Sequence, residues 1–282
     1  MQLYRQSGVL VGLLCGAGLC MAQVTGAGDV ADWSAFMPAT SPSVVKPDWQ
    51  LRSDVQRAGP WSRASSDTVS SATQELMALL VGQRWSDALT ALKERNPEVN
   101  RPDEQGRTPL GLAAQAGQVS LVRELLRRGA NPDQTGPDGR TPLGLAAWEG
   151  HVVVVKDLLR QGAQVALPDR RGKTPLHRAC AGGHLPVVKT LIEAGADWRT
   201  RDTSGRHALQ DAAYFGRLDI LQWLAEQGAS LSEPDAHGLN ALHTAALGDQ
   251  LATVAWLQAR GVTEPHVLTH VLIARIGQPA AR

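Results

Sequence analysis

The sequence predicts an all-α repeat solenoid of helix-turn-helix units with short β-hairpin loops, five full repeats set between N- and C-terminal capping half-repeats. Three observations carry that expectation. Thr108-Pro109-Leu110, Thr141-Pro142-Leu143 and Thr174-Pro175-Leu176 lie 33 residues apart, and His207-Ala208-Leu209 and Asn240-Ala241-Leu242 continue the step. Gly129, Gly162, Gly195, Gly228 and Gly261 make a second series with the same spacing. Gly117, Gly150, Gly183 and Gly216 make a third, with Asp249 in the fifth place. One period held in three registers over five copies marks an internal repeat.

Each part of the unit has a physical reason. Thr caps the first helix through its hydroxyl, and Pro at the first helical position sacrifices no needed hydrogen bond. The paired alanines Ala113-Ala114, Ala146-Ala147, Ala212-Ala213 and Ala245-Ala246 let helices of neighbouring units approach closely. Gly after the first helix permits a tight turn, and Val/Leu pairs at helical spacing bury the second helix. The Gly near residues 129, 162 and 195 ends that helix in the left-handed conformation. Asp169, Asp202 and Asp235, three residues before Gly172, Gly205 and Gly238, mark the turn of a projecting hairpin.

With those residues in view, the units resemble ankyrin repeats. Unit three is the fullest match: Gly172, Thr174-Pro175-Leu176-His177, Ala179, Gly183-His184, Val187-Val188, Leu191-Ile192 and Gly195-Ala196-Asp197. The resemblance covers 103–262 and divides it into repeats at 103–135, 136–168, 169–201, 202–234 and 235–262. Ahead of it, 71–102 carries two helical patterns without a hairpin signal, with Ser71 and Gln74 as a capping box, and reads as the N-terminal cap. Behind it, 263–282 reads as a capping helix opened by Pro265, with Val267, Leu268, Val271, Leu272 and Ile276 turned to the stack. Caps of this kind close the open faces of a repeat array.

Residues 1–22 have the order of a secretory signal peptide: Arg5, an apolar run from Gly8 to Leu19, then Cys20-Met21-Ala22 before a cleavage point ahead of Gln23. The run is shorter than the roughly 20 apolar residues of a membrane span. The expected location is the periplasm, with no stable membrane insertion after cleavage. Residues 23–70 are rich in Ser, Pro, Ala and Asp and read as a flexible leader, in which Trp33, Trp49 and Trp61 are scattered.

Composition narrows the function. The chain carries a formal net charge of +1, and loss of Arg5 leaves it neutral, which gives no electrostatic argument for a nucleic-acid or membrane partner. Of three cysteines, only Cys180 follows the cleavage point, so an internal disulfide is excluded in the mature chain. Cys180 stands where other units have the second alanine of their pair, which reads as packing rather than nucleophilic chemistry. The resemblance implies that His151, His177, His184 and His243 hydrogen-bond to neighbouring loops. His266 and His270 share a helical spacing but lack the Glu and third ligand of a zinc site. No cofactor is expected, and no enzyme.

The resemblance further implies a protein-binding scaffold, a monomer, whose hairpin tips and first-helix ends line a concave recognition surface. After the hairpin glycines come Arg107, Arg140, Lys173 and Arg206, then Leu239, a ladder of cations suited to a partner with an acidic surface. Ahead of the glycines that follow the first helix stand Trp148, Tyr214 and Phe215, the aromatic residues expected to anchor that partner. Packing between adjacent units is the simpler account of Trp223 and Trp256. The layout resembles exported bacterial ankyrin proteins. Two biological readings follow from that, an accessory factor in protection against oxidative stress and an immunity-type neutraliser of a periplasmic toxic effector; a metal-dependent enzyme is a third.

Overall fold

The computed structural model describes residues 11–15, 18–22 and 70–263. The chain falls into two compact units, 1–57 and 58–282. In the first, β1 (Val11–Cys15) and β2 (Gly18–Ala22) pair antiparallel, with Val11 opposite Ala22 and Cys15 opposite Gly18. This hairpin falls within the segment expected to be a signal peptide. The three leader tryptophans and the stretch holding His266 and His270 lie outside the described residues.

The second unit contains six helix pairs among its described residues. They are α1 (Ser71–Val81) with α2 (Trp85–Glu94), α3 (Pro109–Gln115) with α4 (Val119–Arg127), α5 (Pro142–Glu149) with α6 (Val152–Arg160), α7 (Pro175–Gly182) with α8 (Leu185–Glu193), α9 (Ala208–Tyr214) with α10 (Leu218–Glu226), and α11 (Ala241–Leu247) with α12 (Leu251–Ala259). First helices pack on first helices in chain order, and α2, α4, α6, α8 and α10 form a second layer behind them. This is the all-α repeat solenoid expected from the 33-residue period.

Local chemistry fixes each helix start. Thr108 and Thr141 accept the amides of Gly111 and Gly144 at 3.0 Å, each followed by proline at the first helical position. Thr174 shares its cap with His177, whose Nδ1 accepts the Thr174 amide at 3.2 Å. The imidazole proton therefore sits on Nε2, which donates to the Arg206 carbonyl of the next unit at 3.2 Å. Gln210 repeats the device one unit on, donating to the Leu239 carbonyl at 2.6 Å. At the array's start the cap is Ser70, not Ser71: its hydroxyl accepts the Thr73 amide at 3.3 Å.

The loops expected as hairpins are closed turns, with a single β-bridge, Arg201 to His207, among the described residues. Asp103 donates its amide to the Arg107 carbonyl at 2.9 Å, and its side chain accepts the amides of Gln105 and Arg107. Asp169, Asp202 and Asp235 do the same in their own units. A carboxylate that accepts two backbone amides fixes the turn without a ladder of strand bonds. Unit two has Gly136 in this place and lacks the carboxylate.

The core runs the length of the stack. Ala113, Ala114, Ala146, Ala147, Ala212, Ala213 and Ala245 have no exposed surface, and Leu76, Leu125, Leu158, Leu191 and Leu224 fill the space toward the second layer. Small residues on the facing sides let the first helices lie close together. Gly182 and Gly248 go further, because an added Cβ would overlap the backbone carbonyl of Trp148 and of Tyr214, respectively. Gly150 is left-handed (φ 85°), and the His184 ring fills the space beside it. Asp249 adopts the same left-handed region (φ 55°) where the fifth glycine would stand.

Glycine replacements separate these roles. Gly182→Ala should destabilise the array by about 1–3 kcal/mol through overpacking. Gly144→Ala, where the new methyl meets only Thr141 Oγ1 at 3.4 Å, should stabilise by up to about 1 kcal/mol from helix propensity. Thermal unfolding of the two variants checks both signs.

Candidate functional site

The finger face is built from the hairpin turns and the exposed ends of the first helices. The turns bring the four expected cations onto it, but each is held by a carboxylate of its own chain. Arg107 pairs with Asp103 at 2.7 Å. Arg140 pairs with Asp138 at 2.7 Å. Lys173 Nζ donates to both oxygens of Asp211 at 2.6 Å and lies 3.3 Å from Asp202. Arg206 reaches Asp202 at 3.3 Å. The side chains of Lys173 and Arg140 are only 11% and 13% exposed, whereas Arg107 and Arg206 keep about a third of theirs in solvent. The ladder is thus two open rungs and two closed ones.

The closed rungs point inward over the first helix of the following unit. There the column Leu112, Leu145, Arg178, Asp211, Thr244 breaks from apolar to charged. Lys173 meets Asp211, an opposite charge in the next unit. Arg140 meets Arg178, a like one, and Arg178 is itself paired with the buried Asp169. Burial and the neighbouring Arg178 together pull the Arg140 pKa below its ordinary value. The signal for Asp211 and Arg178 was present in the sequence as two charges in a leucine column, but only the fold shows what they face.

The three expected aromatic anchors come together. Trp148 in unit two and Phe215 in unit four meet edge to face, with ring centroids 6.1 Å apart. Phe215 and Tyr214 are 5.1 Å apart in the same geometry. Between them, unit three carries Ala181 and Gly182, so two large rings reach each other across a unit with no bulky side chain to separate them. All three are half-buried. Such pairs contribute about 0.5–1.5 kcal/mol beyond simple burial.

Tyr214 also forms one wall of a cleft of about 210 Å³, with Ser204, Arg206, Asp235, His237, Leu239, Thr244 and Leu247 as the rest of its lining. Leu247 occupies the place of Tyr214 one unit later and is 50% exposed. An apolar floor with a cation on its rim is therefore open to solvent between fingers four and five. Neither Leu247 nor His237 was singled out by the sequence, because a lone leucine at a helix end reads as core.

Elsewhere, polar side chains have structural work. His151 Nε2 lies 3.0 Å from the Gln115 carbonyl of the preceding unit. Trp223 packs against the core beneath Lys189 of the preceding unit, 5.6 Å from the ring centroid. Trp256 packs similarly beneath Arg260 at 4.7 Å. Full burial pushes the Cys180 thiol far above its usual range, away from the reactive thiolate. Among the described residues no group of three His, Cys, Asp or Glu side chains could hold a metal ion.

Charge burial makes the array acid-sensitive. His177 is kept below its usual 6.5 chiefly by burial, so the unfolded chain takes up its proton first and stability falls as pH drops below 6.5. Glu124 is lowered from 4.5 to about 2 by hydrogen bonds from Arg127 and Arg128, so its contribution is present above pH 4.5 and lost toward pH 2. Denaturant midpoints should therefore decline in two steps, and Glu124→Gln should flatten the lower one. Independently, Asp211→Asn should cost about 3–5 kcal/mol by leaving Lys173 buried with a weakened partner, read as a lowered unfolding midpoint.

A family model described as ankyrin repeats in three copies matches residues 76–169, 112–202, 154–235 and 195–266. Comparison with curated proteins found no match. The matched segments together run from 76 to 266, about two thirds of the 282 residues, and coincide with the helix pairs described above. The chain belongs to the ankyrin-repeat family, whose stacked units form scaffolds for contact between proteins.

Proposed function

We propose that this chain is a non-catalytic scaffold that captures one protein partner on its finger face, seated in the cleft between fingers four and five. The observation that carries the proposal is the pairing of half-exposed Leu247 with Tyr214 under the open cation Arg206. An apolar anchor site ringed by polar groups is the arrangement that concentrates binding energy at protein interfaces. Trp148 and Phe215 extend the same surface across unit three to unit two. Arg107 and Arg206, the open rungs, supply the rim charges that favour a partner with an acidic surface. Such rim charges act on association rate more than on final affinity.

The reading extends to location. An N-terminal segment with the order of a signal peptide supports export to the periplasm, and there two roles fit a capture scaffold: an accessory factor in oxidative-stress protection or a neutraliser of a toxic effector. The buried Cys180 gives no thiol chemistry of its own to the first role, so the chain would act by holding a partner.

Cleft and location are tested separately. Tyr214→Ala combined with Leu247→Ala should weaken capture of the partner from a periplasmic extract by about tenfold or more, with the far-UV spectrum and cooperative unfolding retained. Loss of cooperative unfolding in that variant would assign the two residues to the core instead. Cell fractionation followed by N-terminal sequencing should find the chain in the periplasm beginning at Gln23; an intact Met1 in the cytoplasm would remove the export reading.

A further inference from the structure

Every hairpin turn that holds an aspartate also holds a cation for it, except the last. In each of these turns Oδ1 accepts two backbone amides. In three of them Oδ2 meets a positive charge. Asp103 takes Arg107 at 2.7 Å, Asp169 takes Arg178, and Asp202 takes Lys173 and Arg206, both at 3.3 Å. Those cations come from three places: the residue after the turn's own glycine, the first-helix column, and the post-glycine residue of the preceding unit. For Asp235 the first two are Leu239 and Thr244. The third is Arg206, which turns back to Asp202. Asp235 Oδ2 therefore forms no hydrogen bond or ion pair among the described residues, although the residue is only 8% exposed. It is not sealed in, because Asp235 lines the cleft of about 210 Å³ between fingers four and five. A carboxylate so far out of water and without a counter-charge is costly to the free protein, and an entering cation relieves it.

We propose that this cleft takes a lysine side chain of the docked protein, its ammonium on Asp235 Oδ2 and its methylene stem along Tyr214, Leu239 and Leu247. Lysine fits better than arginine because Oδ1 is already occupied by the two amides. One oxygen suits a point-like ammonium, whereas the guanidinium fork is matched to two. Apolar walls beside the carboxylate suit the stem, since long cationic side chains cover apolar surface while the head finds its counter-charge. There is room for it: a cavity of about 150 Å³ already admits benzene. Lys173 and Arg206 do not oppose the ligand, because Asp202 and Asp211 balance them and leave Asp235 as the uncompensated charge of the cleft. The partner's acidic groups meet Arg206 and Arg107 on the rim, and the lysine is the one basic residue set among them. The inference rests on the docking reading for the source of the lysine.

The test titrates the full-length ¹⁵N-labelled chain with acetyl-Gly-Lys-Gly-amide and with its norleucine analogue, which keeps the stem and lacks the ammonium. The His237 and Leu239 amides report the site, because both donate to Asp235. The lysyl peptide should shift these resonances with an affinity about five- to tenfold above that of the norleucine peptide. Asp235→Asn, which keeps an oxygen for both amides, should remove that difference. Leu239→Arg, which places a cation where Arg107 and Arg206 stand in their own units, should leave the lysyl peptide unbound while the array stays folded. Equal affinities for the two peptides, or an undiminished preference in Asp235→Asn, would overturn the proposal. If Asp235→Asn unfolds, the Leu239→Arg titration decides in its place, with unchanged lysyl binding as the contrary result. Tighter binding of acetyl-Gly-Glu-Gly-amide would also overturn it, giving the cleft to Arg206 and a carboxylate. Failure of the lysyl peptide, with capture still lost in the Tyr214 and Leu247 variant, removes the lysine and keeps the docking reading. Unchanged capture by that variant removes the docking reading, and the peptide titration still reports whether Asp235 takes an ammonium.

Discussion

Everything in the array follows from how closely one first helix can lie against the next. The alanine pairs make that approach possible by placing only methyl groups between backbones, and Gly182 removes even the methyl where α7 meets the Trp148 carbonyl. Close spacing brings the hairpins and first helices of neighbouring units into contact. Consequently Lys173, Arg206 and Leu239, each following a hairpin glycine, make contacts between units. Lys173 bonded to Asp211, His177 to the Arg206 carbonyl and Gln210 to the Leu239 carbonyl are three forms of that single consequence.

Polar stitching of this kind supplements the apolar core that runs the length of the stack. In a one-dimensional stack each unit touches only its neighbours, so stability is a sum of unit and junction terms. The junctions here are not equivalent. Between units three and four a lysine is matched by two aspartates, whereas between units two and three arginine faces arginine. A buried pair is weak evidence for net stabilisation but strong evidence that removing one partner is harmful.

The period, the caps at threonine and the role of the alanine pairs were legible from the sequence because they repeat. Repetition turns a weak local preference into a pattern, and Thr108, Thr141 and Thr174 behave as their spacing requires. What was not legible are the departures from repetition. The cation ladder read as a continuous row because Arg107, Arg140, Lys173 and Arg206 share a register. Its rungs differ because Gly136 removes one acceptor, while Asp211 and Arg178 place opposite charges in the next column. Likewise Trp148 and Phe215 sit in different columns of the repeat, and their contact across unit three depends on Ala181 and Gly182 leaving room. A sequence column reports one unit at a time, and these features live between units.

On the proposed function, the partner sits against fingers and first helices and leaves the second-helix layer exposed. Amide hydrogen exchange on the complex tests this most directly, because the two layers give separate peptides. Binding should slow exchange in segments around residues 204–206, 214–217 and 235–247, with the amides of α8, α10 and α12 unchanged. Protection confined to α8, α10 and α12, with the finger segments exchanging as in the free chain, would contradict it.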